Sequence, residues 1–430
     1  MAKVIVAGAG INGVSSAVWL QRAGHDVILV DRAGPASGTS YGNAGVLAAG
    51  SIIPITTPGL LAKIPKMLFN SNAPLFVRWG YLPKAIPFLS RYLSHANLDH
   101  VKLYAKTMTQ LLYDSVDQHR ALAEGTGAEK YITNDDYYFG YDTMAAFKSD
   151  EFAWNIRKQN GQDFKVLNQN EFGQLDPIYM DKFDVIVANK IHGKISDPGA
   201  YIKKLASYFE AKGGVILQSN ITGLIENERS LLGLKTDDGD IFSDHVVFTL
   251  GPWSGDISKK LGLVIPFESE RGYHIELVNP SSMPKAPIMV ASGKFVVTPM
   301  DGRIRMAGVV EFGGLDALAS KAPIELLKAN AKKLFPDIRY DRIDEWLGHR
   351  PTTANSLPLI GRVNKYDNVL TGFGHQHVGL TGGAKTGRIL ASLIDKQKIN
   401  IDLSELSKGI YIITIHLKSE EKITRKVVIE

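Results

Sequence analysis

The sequence contains no cysteine. That excludes disulfides, thiolate metal sites, a cysteine nucleophile and a thioether link to a prosthetic group. It leaves the compartment open, because a chain without thiols is indifferent to redox poise. There is no uncharged apolar run of about 18 residues, so no spanning helix is expected. The first apolar run starts at Lys3, which leaves no room for a presequence, and a cytoplasmic location is expected. A net charge of +5 over 430 residues is mild and gives no expectation of nucleic-acid binding. Acidic residues are missing altogether between Arg32 and Leu98, where Lys63, Lys66, Arg78, Lys84 and Arg91 alternate with Leu, Ile, Phe and Trp. The ordinary reading of such a stretch is a solvated basic helical face. The alternative is a surface, within 60–92, that rests on anionic lipid.

What is present is glycine, 41 residues of it, clustered in a few places. The length predicts two domains or intertwined lobes. Residues 3–7 read as a buried parallel strand. Gly8, Gly10 and Gly13 follow with G-x-G-x-x-G spacing, and a helix is expected over about 11–23. Gly8 permits the tight turn, Gly10 admits a pyrophosphate, and Gly13 lets helix and strand pack closely. Ile11 and Asn12 open the helix, whose free N–H groups favour an anion. A second strand ends at Asp31, 18 residues beyond Gly13. That is near the roughly 20-residue spacing of an acid that binds ribose hydroxyls. Asp31 with Arg32 argues against a 2′-phosphate. The turn alone does not say whether the dinucleotide is an exchangeable nicotinamide or a resident flavin.

Three other stretches bear on that choice. Residues 37–50 (SGTSYGNAGVLAAG) are small, uncharged and glycine-rich. Backbone N–H groups near Thr39, Ser40, Asn43, Ala44 and Gly45 could meet a pyrophosphate and a ring. A strand expected over 246–250 ends in Gly251-Pro252-Trp253-Ser254. Far along the chain, GHQHVGLTGGAKTG holds His375, His377, Gly379, Leu380 and Thr381. A helix is expected to open at Gly382 and Gly383, its positive end suited to a reduced flavin. His375 and His377 have no evident third partner, so a metal is not expected.

Taken in order, GAGINGVSS with Asp31-Arg32, GTSYGNAG, LGPWS, RGYHIEL, GHRPTTANSLPLIG and GHQHVGLTGGAKTG resemble FAD-dependent amino-acid oxidoreductases of the D-amino-acid oxidase superfamily. The chain looks closest to the quinone-linked bacterial D-amino-acid dehydrogenases over about 1–402. The resemblance implies an α/β fold: a Rossmann-type FAD-binding domain (1–60, 185–265 and 335–402) interleaved with an α+β substrate domain (61–184 and 266–334). It implies non-covalent FAD, a small amino-acid substrate, and a quinone or respiratory chain as electron acceptor. It also implies that Arg350, pre-aimed by Pro351, grips the substrate carboxylate bidentately. His377 stands where some relatives carry a second arginine. Strand alternation lets only one of Tyr273 and His274 face the pocket. Arg303 and Arg305 share one face of a hairpin that turns at Asp301-Gly302, and the sequence leaves open what that face meets. The expected reaction oxidises an amine to an imine, which water hydrolyses to a 2-oxo acid and ammonia.

Secondary amines such as hydroxyproline, proline or sarcosine are the alternative substrates. An NAD-dependent dehydrogenase and a surface-attached flavin-containing binding protein are the other readings. Residues 403–430 look like two strands around KSEEK and resemble a type IX secretion sorting tail, which conflicts with a cytoplasmic location.

Overall fold

The computed structural model describes residues 1–62, 64 and 74–395, and the strands Gly409–His416 and Lys422–Ile429. Lys63 and Lys66 lie outside the described residues. The first sheet has the order Val215–Gln218, Asp26–Asp31, Lys3–Ala7, His245–Phe248, Val369–Phe373, Leu359–Arg362. All neighbours are parallel except the last pair. Parallel strands are covered on both faces, and strand alternation shows how. Val4 and Val6 face the helices Ile11–Arg22, Pro198–Ala211 and Gly379–Ile394. Ile5 and Ala7 face a small antiparallel sheet, 221–242, through Leu231 and Leu234.

The helix Gly379–Ile394 starts three residues before the expected glycine pair. Gly383 and Gly387 sit inside it and carry its packing on Ile11–Arg22. A Cβ on Gly387 would come within 2.0 Å of Ser15 Oγ, and one on Gly383 within 2.6 Å of Ile11. Ser15 Oγ in turn donates to Gly383 O at 2.9 Å. The close crossing brings both helix N-termini to one place, above the carboxyl ends of the parallel strands, where such sheets bind ligands.

The second sheet is mixed, with nine strands among the described residues. Its functional end is formed by Arg342–Thr353, Phe267–Val278 and Arg303–Phe312 in that order, all antiparallel. Arg342–Thr353 is the edge strand, which accommodates Pro351 and its missing N–H. That strand and Val185–Asn189, both in segments the sequence reading gave to the first lobe, hydrogen-bond into this mixed sheet. One face is covered by the helix Lys321–Leu334, whose Ile324, Leu327 and Ala331 pack on Tyr273, Ile275 and Ile304. The other face looks toward the loop 39–50 of the first lobe: Arg305 bonds Tyr41 O and Asn43 O, and His274 lies 3.1 Å from Gly42 O.

Among the described residues no helix is long and apolar enough to cross a membrane. The tail strands pair antiparallel, Gly409 opposite Ile429 and His416 opposite Lys422.

Candidate active site

A cleft of about 440 Å³ lies in the first lobe and reaches Pro351 on the edge strand of the mixed sheet. Its walls include Gly8, Gly10, Ile11, Asn12, Asp31, Arg32, Thr39, Ser40, Asn43, Gly251, Trp253, His375, Gly379 and Leu380, so most of the expected dinucleotide contacts converge. Gly8 has φ +101°, and a Cβ there would strike Thr249 O at 2.6 Å. A Cβ on Gly13 would lie 1.7 Å from Gly8 O. The glycine turn is therefore held by backbone that only glycine allows. Asp31 accepts from Ala9 N and Ala33 N at 2.8 Å each, which fixes its carboxylate at the wall. Arg32 lies 3.8 Å over the Trp253 ring, and Ser40 Oγ accepts from Ile11 N at 3.0 Å.

Several expected residues turn out to act indirectly. Asn12 Nδ2 donates to Gly372 O and lies 3.0 Å from His375 Nδ1. That nitrogen is therefore an acceptor, and the ring proton sits on Nε2, 2.9 Å from Thr386 Oγ1. Both His375 nitrogens are thus spent inside the protein, and burial lowers its pKa to about 4. Thr381 Oγ1 accepts from Ala48 N and Gly45 N donates to Asn43 Oδ1. These bonds shape the loop, whose residue Ala44 follows Asn43 in it. A Cβ on Gly45, at φ +75°, would meet Ile195 O at 2.6 Å. Among the described residues no group of three His, Cys, Asp or Glu side chains could hold a metal.

The substrate end lies on the mixed sheet. Arg350 pairs in register with Glu270, and its guanidinium leans over Gly272. A Cβ on Gly272 would come within 2.7 Å of Arg350 Cζ. Arg350 Nη2 lies 3.5 Å from Gly308 O, while Nη1 is fully buried and has no partner. Burial lowers the Arg350 pKa and the Glu270 charge raises it. His377 is solvent-accessible and is not among the residues that line the cleft. Desolvation and then Arg350 lower its pKa to about 4, so it is neutral.

Alternation separates the two residues after Gly272. His274 faces the cleft side, stacked on Trp346 at 4.9 Å, with its pKa lowered to about 3 by burial and Arg305. Tyr273 points to the opposite face, where its hydroxyl donates to Glu311 at 2.7 Å and accepts from Ser320 N. It is a strut between sheet and helix, so of the pair Tyr273 and His274 it is Tyr273 that is turned away from the first lobe. Arg78, expected on the basic surface, also turns inward, to Leu318 O, Ser320 and Glu311.

Arg305, whose surroundings the sequence left open, and Glu270, which the sequence did not single out, complete the site. Arg305 is fully buried, pairs with Glu276 at 2.7 Å and holds the loop carbonyls of Tyr41 and Asn43. Glu270 is 1% exposed. The alternating Glu-x-Gly-x-His of residues 270–274 was the available signal, since three same-face residues on a buried strand included a charge and a gap.

A glycine turn under two converging helix ends, next to a sheet on which Arg350 holds a buried, unpartnered Nη1, is the architecture of a two-lobed dinucleotide-binding protein. The family model for "FAD dependent oxidoreductase" matches residues 3–393, and the chain belongs to that family. Residues 385–430 match a "Secretion system C-terminal sorting domain". The chain is 36% identical over 411 residues to a D-amino-acid oxidase of Bradyrhizobium diazoefficiens, covering 94% of this chain and 97% of the relative. It is 30% identical to a D-amino acid dehydrogenase of Rhizobium rhizogenes, covering 95% and 100%. The glycine oxidase structure from Geobacillus kaustophilus shares the fold, with a TM-score of 0.71 at 18% identity over 95% of this chain and 98% of that one.

Proposed function

We propose that this enzyme deaminates D-amino acids oxidatively, yielding 2-oxo acids and ammonia. The observation that carries the proposal is the buried Arg350 Nη1 without a partner, set on the sheet face that looks toward the loop 39–50, beside Pro351 of the cleft wall. A guanidinium stays charged and matches a carboxylate, and a buried donor left unpaired costs about 1–3 kcal/mol, so the pocket favours an anion. The names of the relatives with 36% and 30% identity support a D-amino acid as the substrate.

The glycine turn, Asp31, Ser40 and the N-termini of Ile11–Arg22 and Gly379–Ile394 would hold FAD, which when bound supplies the hydride acceptor. Arg350 fixes the carboxylate and so the direction of the Cα–H bond. His274 and Trp346 with Arg305 keep the loop 41–43 in place. The walls exclude water, and catalysis rests on orientation and desolvation. The lobes divide with Arg342–Thr353 on the substrate side.

Electrons pass to a quinone or another respiratory acceptor in this reading. The exposed Trp79 and Ile86, with Lys84 and Arg91 exposed nearby, support a peripheral membrane contact at that step. The sorting-domain match supports a second reading of location, export with the tail as the address. Fractionation of cells that make the full chain separates the two.

The first test is the visible spectrum of the purified protein before and after anaerobic addition of D-alanine, L-alanine and proline analogues. Bleaching by D-isomers alone supports the proposal. Bleaching only by proline analogues moves the assignment to secondary amines, and a yellow protein that nothing reduces removes the proposed chemistry.

A further inference from the structure

Glu270 is a buried carboxylate that the orientation role of Arg350 does not use. It sits on the strand next to Arg350, the two being direct cross-strand partners on one sheet face. Facing residues in an antiparallel pair are only about 4.5–5.5 Å apart at Cα. The carboxylate is 1% exposed, and its Oε2 is buried without a hydrogen-bond partner, as is Arg350 Nη1. One buried acceptor atom and one buried donor atom, of opposite charge and each without a partner, therefore stand side by side. An α-amino acid zwitterion carries the complementary pair on adjacent atoms.

Tyr92 and Thr352 donate hydrogen bonds to the Glu270 carboxylate and so support its charge without taking a proton. Tyr92 and Tyr104 come from the helices Leu82–Ser94 and Leu98–Leu112, and burial pushes both hydroxyls well above the usual tyrosine range. Thr352 comes from the strand that carries Arg350, and Glu268 is the next same-face residue on Glu270's own strand. His377 is near Arg350 and neutral. Glu268 is a carboxylate too, but its oxygens already accept from Tyr81 Oη and Ser269 N, and the remaining groups are not bases that would take a proton from an ammonium at neutral pH.

We propose that Glu270 receives the proton of the substrate ammonium, so that the pair Glu270 and Arg350 binds the zwitterion and converts it to the neutral amine that can be oxidised. The inference rests on the reading of Arg350 given above. The step balances: one N–H bond of –NH₃⁺ breaks, one O–H bond forms on Glu270, and the amine keeps the electron pair. The oxidation that follows takes the Cα hydride and leaves the imine. Burial is what makes the transfer feasible. A separated ammonium and carboxylate become two neutral groups, and a low-dielectric site favours the neutral form of each. Burial correspondingly holds the Glu270 carboxyl above the ordinary carboxylate range, against the opposing pull of Arg350.

The test compares wild type with Glu270→Gln, both as holoenzyme, by the pH dependence of anaerobic flavin reduction and by titration with benzoate, a carboxylate with no amine. Glu270→Gln should lose about 10²–10⁴-fold in reduction rate near neutral pH. The loss should shrink as pH rises toward the pKa of the substrate amine, because free amine needs no base. Benzoate affinity should be retained or tightened, since Arg350 remains and a neighbouring negative charge is gone. A variant slowed by the same factor at every pH, or one that loses benzoate binding together with reduction, overturns the assignment and makes Glu270 a packing residue. A wild type that no amino acid reduces overturns the reading of Arg350 and this inference with it, an outcome distinct from failure of Glu270 alone.

Discussion

At the scale of single residues, the substrate end depends on missing side chains as much as on present ones. Gly272 leaves the space that Arg350 occupies. In Gly272→Ala the new Cβ would sit 2.7 Å from Arg350 Cζ, and the group able to yield is the far end of a flexible side chain. The fold should therefore survive while the guanidinium moves. The expected outcome is a melting temperature within a few degrees of wild type and a 10- to 100-fold weaker benzoate affinity, about the 1.5–3 kcal/mol of a hydrogen bond to a charged group. Titration by flavin absorbance checks it, and unchanged affinity would remove Arg350 from the pocket. Arg350 and its proline were legible in the sequence, because a proline restricts the residue before it. Gly272 was not, because its importance lies in what crosses it from another strand.

At the scale of elements, the cleft exists because two helices cross closely enough to bring their N-termini together. Gly387 sets that distance: a Cβ there would meet Ser15 Oγ at 2.0 Å and the Ser15 backbone at 2.6 Å. Backbone cannot step aside as a side-chain tip can, so Gly387→Ala must push the helices apart. Overpacking of this kind costs about 1–3 kcal/mol. The prediction is a lowered thermal midpoint together with loss of bound FAD on gel filtration. Full FAD occupancy at unchanged stability would mean that the crossing tolerates the shift. Sequence placed both helices, since periodicity and glycine punctuation are local signals. It misjudged the start of the second, because Gly382 and Gly383 read as a helix opening when their small size serves packing inside the helix.

At the scale of the whole molecule, burial of neutral histidines ties stability to pH. The buried His119 and His375 are held near a pKa of about 4, and His192 and His274 near about 3. In the unfolded chain each returns to about 6.5. Between those values the unfolded state binds more protons, so stability falls as pH falls from about 6.5 toward 4. Each fully buried ring contributes on the order of a few kcal/mol, at about 1.36 kcal/mol per unit. The raised carboxyls of Asp176, Glu268 and Glu270 act in the opposite sense over part of that range, but the histidines outnumber them. Urea unfolding at pH 7 and pH 5 should show a clearly lower midpoint at pH 5, and an equal or higher midpoint would contradict the buried neutral assignment.

The sequence by itself determined the dinucleotide turn, the acid after it, the arginine before a proline and the opposite facing of Tyr273 and His274. These follow from local rules: φ above zero demands glycine, proline restricts its neighbour, and side chains alternate along a strand. Tertiary structure alone decided which parity faces the cleft, and so that His274 and not Tyr273 lies on that side. It also decided that Glu270 meets Arg350, and that Arg305 is spent on the loop 41–43 rather than on solvent. Those outcomes depend on strand register and on the seating of one lobe against the other. Both are set by contacts between residues far apart in the chain, for which no local pattern carries a signal.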